Sequence, residues 1–182
     1  MMRNLVGISA GLLLSATAAL AEPADPKNLQ VFNDVSKAVN HYAYFSIFDD
    51  VNAQVKDGVV ILTGKVTMPY KRDEIAKRVA KVAGVRAVRD RIDVLPVSQF
   101  DDQLRYRIAR AIYNNPALWN YRLGPNPSIH VIVEHGHVTL TGVVLNNADR
   151  VIARSLVNQF GVMTVANELQ TEAEVKEALE KL

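Results

Sequence analysis

Cysteine is absent from this chain. That excludes disulfides, thiolate metal ligands and cysteine nucleophiles together, and removes the residue on which a lipoprotein anchor is built. Charge of one sign is absent too. With 21 Lys and Arg against 19 Asp and Glu the formal net charge is +2, so nothing steers the whole chain toward nucleic acid. Signatures of catalysis are equally missing: there is no glycine-rich phosphate loop, no Gly-x-Ser-x-Gly and no His-Glu-x-x-His. The carboxylates are scattered, or adjacent on helices expected to face solvent, without the buried pairing that acid–base chemistry needs. After Leu20 no apolar run approaches the roughly 20 residues of a membrane span. What remains is ordinary globular composition, 49% apolar and 22% charged over 182 residues.

The first 21 residues read differently. Met1-Met2-Arg3 gives a short positive start, Leu5 to Leu20 is apolar, and Ala19-Leu20-Ala21 has the small-x-small form of a cleavage site. A cleaved secretory signal over 1–21 is therefore expected, with a mature chain starting at Glu22 outside the cytoplasm. Residues 22–27, with Pro23 and Pro26, read as a linker.

The mature chain is organised around a repeat. Val55-Lys-Asp-Gly-Val-Val-Ile-Leu-Thr-Gly-Lys-Val66 returns as Val133-Glu-His-Gly-His-Val-Thr-Leu-Thr-Gly-Val-Val144, with Gly58 and Gly64 each 78 positions before Gly136 and Gly142. Asp57-Gly58 and His135-Gly136 stand where a two-residue hairpin turn needs positive φ. Val60, Leu62, Gly64 and Val66 match Val138, Leu140, Gly142 and Val144, so this set is expected to face the helices. The two glycines on that face are expected to let a helix approach the sheet.

Around each hairpin the periodicity predicts the same elements. A helix from Leu29 to near Tyr44 buries Val31, Val35 and Val39, and Phe45, Ile47 and Phe48 plug the core. Pro69 opens a second helix to Lys81, with Ile75, Val79 and Val82 inward, and Val85–Val94 is a third strand, parallel because a helix intervenes. The second copy places Leu104, Ile108 and Ile112 on its first helix, stopped by Asn114-Asn115-Pro116. It inserts a longer loop at Arg122–Ser128 and runs a helix over Asn146–Phe160 with Val151, Ile152, Leu156 and Val157 inward. Thr171 with Glu174 forms a capping box for a short acidic helix at 171–182. The fold class is α+β: two tandem αββαβ modules over 28–95 and 99–170, each a three-stranded mixed sheet with two helices on one face.

Both halves resemble the BON domain (bacterial OsmY and nodulation). The first copy carries the resemblance on Gly58, Val60, Leu62, Gly64, Val66, Gly84, Val85 and Val88. The second carries it on Gly136, Val138, Leu140, Gly142, Val144, Gly161, Val162 and Val165. The resemblance implies an exported, periplasmic, non-enzymatic protein associated with osmotic stress and envelope integrity, attached reversibly to anionic phospholipid. It brings no cofactor, small-molecule substrate or catalytic motif. Some relatives are lipoproteins, and this chain lacks the cysteine for that.

Two candidate surfaces follow. The stretch Lys65–Arg91 holds nine basic side chains, Lys71 among them, against three acidic ones. Helical geometry turns Lys77, Arg78 and Lys81 away from Ile75 and Val79, where cations attract anionic lipid or simply form a solvated face with pairs such as Glu74–Arg78. In the second copy Tyr106, Arg110 and Tyr113 fall opposite Leu104 and Ile108, followed by Trp119, Tyr121 and Arg122. Rings with polar tips beside arginine suit a bilayer interface, an envelope protein partner, or packing on the neighbouring module. Leu118 or Trp119 fits the core slot that Phe45 holds in the first copy. His130, His135 and His137 do not converge as metal ligands and read as exposed turn residues. The alternative to lipid is a chaperone-like or adaptor module for envelope proteins.

Overall fold

Asp57 and Gly58 take φ of +50° and +74°, and His135 and Gly136 take +51° and +77°. Positive φ at both central residues matches the twist of the flanking strands and makes each repeat a tight hairpin. The structure, a computed structural model, describes residues 26–123, 127–158 and 161–180. The expected leader over 1–21 lies outside them.

The first module runs α1 (Pro26–Asn40), β1 (Asp50–Lys56), β2 (Val59–Val66), α2 (Pro69–Val79) and β3 (Ala87–Val94). Its sheet has the order β1-β2-β3, with β1 antiparallel to β2 and β3 parallel to it. The parallel pairing follows from the α2 crossover. Val60, Leu62 and Val66 are fully buried with Val35, Ile75 and Val79, so both helices pack on the face the repeat assigns to them. Two ends move. α1 begins at Pro26, inside the stretch read as linker, and stops at Asn40 rather than Tyr44. Residues 41–49 instead form turns that carry Tyr42 and Phe45 into the core.

The second module repeats the order with α3 (Gln99–Tyr113), a 3₁₀ helix (Pro116–Arg122), β4 (Ile129–Glu134), β5 (His137–Val144), α4 (Asn147–Val157) and β6 (Thr164–Asn167). A two-residue strand β7 (Gln170–Thr171) also pairs with β5, and α5 (Glu172–Glu180) closes the described chain. The capping box forms as read: Thr171 N donates to Glu174 at 2.7 Å and Glu174 N to the Thr171 hydroxyl at 3.2 Å. On α4 Ala153 and Val157 are fully buried and Ile152 and Leu156 pack against the core as expected, whereas Val151, expected inward, is exposed.

Gly64 and Gly142 sit on the helix-facing side, yet helix approach is not what requires them. Their φ values are +117° and +114°. A Cβ on Gly64 would stand 2.2 Å from the Asp50 carbonyl oxygen, and on Gly142 1.9 Å from that of Ser128. The constraint is the neighbouring strand, not the helix.

The two modules touch through a seam that the short 95–98 connector does not by itself demand. Val131 N donates to the Ile47 carbonyl at 2.7 Å, Thr141 Oγ1 to Asp50 at 3.1 Å, and Lys65 pairs with Glu134. Asp50, Lys65, Glu134 and Thr141 lie on the sheet faces turned away from the helices, and His130, Ile132, Thr141 and Val143 on that face are buried although the strand alternation predicts a solvated face.

Candidate functional site

On the first module the three expected cations are exposed. Lys77 and Arg78 lie on α2, and Lys81 in the turn that follows it. The intrahelical pair is Lys77–Glu74 at 3.2 Å rather than Glu74–Arg78. Arg78 is placed by an aromatic instead: its guanidinium carbon is 4.8 Å from the centre of the Tyr42 ring. That ring begins a row the sequence reading missed. Tyr42 meets Tyr44 at 5.8 Å between centroids, and Tyr44 meets Tyr70 at 6.2 Å, both edge to face. Tyr42 is buried, but Tyr44 is 64% exposed, Tyr70 50%, and Met68 at the head of α2 46%.

Lys71 does not belong to this cationic face. It is buried, and its ammonium donates to the Asp49 carboxylate at 2.6 Å and the Thr67 hydroxyl at 2.8 Å. Asp49 also accepts from the backbone N and hydroxyl of both Ser46 and Thr67, at 2.7 to 2.9 Å. Lys71 lies four and eight residues before Ile75 and Val79, so its place on the inward stripe was legible.

The second module separates its six candidates. Tyr106, Arg110, Trp119 and Arg122 are exposed, with the Tyr106 ring set edge-on to Phe48 of the first module at 5.3 Å. Tyr113 and Tyr121 are not surface groups. Tyr113 is packed against the core and its hydroxyl donates to the Ile129 carbonyl. Tyr121 is buried, with its hydroxyl donating to Asp149 and accepting from Leu145 N at 2.8 Å. Burial raises both phenols, and for Tyr121 the Asp149 carboxylate adds to the rise. Leu118, not Trp119, fills the core slot, because the 3₁₀ helix turns Leu118 inward and leaves the indole 54% exposed.

The same chain architecture is found elsewhere. Residues 34–96 and 100–181 each match the family described as BON domain. The chain belongs to the BON domain family. Its two modules are BON domains in tandem. A search of curated proteins finds no match. Among solved structures the chain is similar to CdsD, a structural protein of the type III secretion system of Chlamydia trachomatis, at 15% identity and a TM-score of 0.29, over 83% of this chain and 97% of that one. The C-terminal domain of CdsD gives 14% identity and a TM-score of 0.27, over 75% and 94%. Likeness at that level says nothing of function.

The carboxylates of these BON modules are less scattered than the sequence suggests. Asp49, Asp50 and Asp101 are all buried. Asp101 accepts from His135 N and Gly136 N at 2.9 Å each, while Arg105, one turn along α3, donates to the Val133 carbonyl at 2.6 Å. The pair clamps the β4–β5 hairpin to its helix. Asp49 and Asp101 accept from backbone donors, which fits a structural role better than proton transfer. Among the described residues no group of three His, Cys, Asp or Glu side chains could hold a metal.

His135 and His137 are exposed as expected, but His130 is buried in the seam. Its Nδ1 lies 2.5 Å from the Asp49 carbonyl, and its ring packs 5.6 Å from Phe45. Burial holds His130 below its ordinary value of ~6.5 and lifts Asp50 beside it. A neutral buried imidazole takes up a proton less readily than the unfolded chain does. Its contribution is therefore present above ~6.5 and lost as pH falls through that value toward the folded one. Asp50, raised by burial, works in the opposite sense, its contribution present at low pH and lost as pH rises through its raised value. The denaturation midpoint is therefore expected to fall between pH 7.5 and 5.5. His130→Asn, which keeps a donor for the Asp49 carbonyl, should flatten that fall, and a midpoint independent of pH in the parent protein contradicts it.

Proposed function

We propose that this tandem BON protein is a non-enzymatic periplasmic factor that binds anionic phospholipid surfaces reversibly and supports envelope integrity or osmotic tolerance. The observation that carries the reading is the exposed cationic group of Lys77 and Arg78 at the end of α2 and Lys81 just beyond it, into which Glu74 pairs with Lys77. Each cation near an anionic bilayer contributes about 1 kcal/mol, enough in sum for weak peripheral attachment without insertion of a helix. Among the described residues no helix is long and apolar enough to cross a membrane.

Flotation with vesicles tests it. Binding to phosphatidylglycerol-containing vesicles is expected to weaken steeply with salt, since screening shortens to about 10 Å at 0.1 M. Lys77→Glu/Lys81→Glu should reduce binding by about 30-fold or more, the equivalent of two lost contributions. Equal binding to neutral vesicles, or none to either, contradicts the proposal and favours an envelope protein as partner.

A further inference from the structure

We propose that Tyr44, Met68 and Tyr70 form an apolar foot that enters the interfacial layer of an anionic bilayer, with Arg78, Lys77 and Lys81 engaging headgroup phosphates beside it. The inference rests on the lipid reading above and adds to it a specific contact face and a second component of binding.

Three observations converge on this corner of the first module. The rings of Tyr42, Tyr44 and Tyr70 are in contiguous edge contact, although 26 residues separate Tyr44 from Tyr70. The outer two rings and Met68 remain about half or more exposed, which is unusual for packed apolar groups brought together from two segments. The inner ring carries the Arg78 guanidinium on its face, so cation and aromatics are joined in one unit rather than scattered along a helix. Tyrosine, with an apolar body and a polar tip, suits the headgroup boundary, and arginine suits phosphate. An acidic protein partner would also meet the cations. The half-exposed tyrosines, each with an apolar ring and a polar tip, favour the bilayer interface.

The second module offers an internal comparison. At the corresponding corner, next to the Tyr121–Leu145 hydrogen bond, Trp119, Leu123 and Leu145 are exposed. There the neighbouring carboxylate Asp149 faces the tyrosine, and among the described residues no cation stacks on a ring. The first module therefore leads and the second is the control.

The test uses the mature chain. With Trp119→Phe removing the native indole, Met68→Trp provides a reporter. Its emission is expected to shift to the blue and to be quenched by brominated acyl chains in phosphatidylglycerol vesicles. The native Trp119 of the parent protein should remain unquenched. Tyr44→Ala/Tyr70→Ala should weaken partitioning about tenfold and leave the melting temperature nearly unchanged. If the parent binds anionic vesicles but the reporter is unquenched and the double variant binds normally, the foot is overturned and the lipid reading stands. If the parent does not bind at all, both fall. If Tyr70 replaced by benzoylphenylalanine crosslinks to protein and never to lipid, the face belongs to a protein partner instead.

Discussion

Gly142→Ala is expected to destabilise the second BON module by about 3–5 kcal/mol, enough to leave it unfolded or nearly so at physiological temperature. Two causes add. A φ of +114° is a conformation that residues with a Cβ rarely adopt, and the new methyl carbon would stand 1.9 Å from the Ser128 carbonyl oxygen. That oxygen cannot give way cheaply, because it is backbone and accepts from Val143 N at 3.2 Å. Gly64→Ala, with a 2.2 Å approach to the Asp50 carbonyl, should act alike on the first module. Gly84→Ala, where the Cβ meets a side-chain methyl of Val31 at 2.7 Å rather than backbone, is expected to cost less than either despite its positive φ. Urea denaturation of the three variants ranks them, and a Gly142→Ala midpoint equal to the parent's contradicts the strand-crowding account.

Asp49→Ala is the second large effect, expected at about 3–5 kcal/mol. Its carboxylate gathers the Ser46 turn, Thr67 and Lys71 into one buried knot, and removal leaves the ammonium of Lys71 uncompensated. Lys71→Met should cost less, since Asp49 still keeps four backbone and hydroxyl donors from Ser46 and Thr67. Combining Asp49→Leu with Lys71→Met should recover part of the loss, as apolar replacements of buried ion pairs commonly do. Denaturation midpoints of the single and combined variants decide this. If Lys71→Met is the more damaging single change, the buried carboxylate is not the centre of the knot.

How much of this was legible in the sequence differs by level. The hairpin turns were, because only a few residue types accept positive φ in succession, and the strand faces were, because a duplicated pattern of period two fixes them twice. Lys71 was legible in principle from its spacing to Ile75 and Val79, although a cation on an inward stripe requires a carboxylate whose position the sequence does not reveal. Tyr113 misled because helical angle alone places its ring outward, and Tyr121 because it stands in what reads as a loop, while the chain beyond each residue folds back over it. The seam at Asp50, His130 and Thr141 depends on how two sheets meet, and no local period encodes that. Tyr44 and Tyr70 lie too far apart in sequence to announce a shared patch, though Pro69 at the first helical position marks Tyr70 as part of an exposed first turn.

The central claim is that the cationic and aromatic exterior of a tandem pair of BON modules is the working part. A binding isotherm of the mature protein against vesicles of increasing phosphatidylglycerol fraction tests it most directly. The account predicts affinity that climbs steeply with anionic fraction and collapses when salt is raised. Affinity indifferent to lipid charge, or absent at every composition, would contradict it.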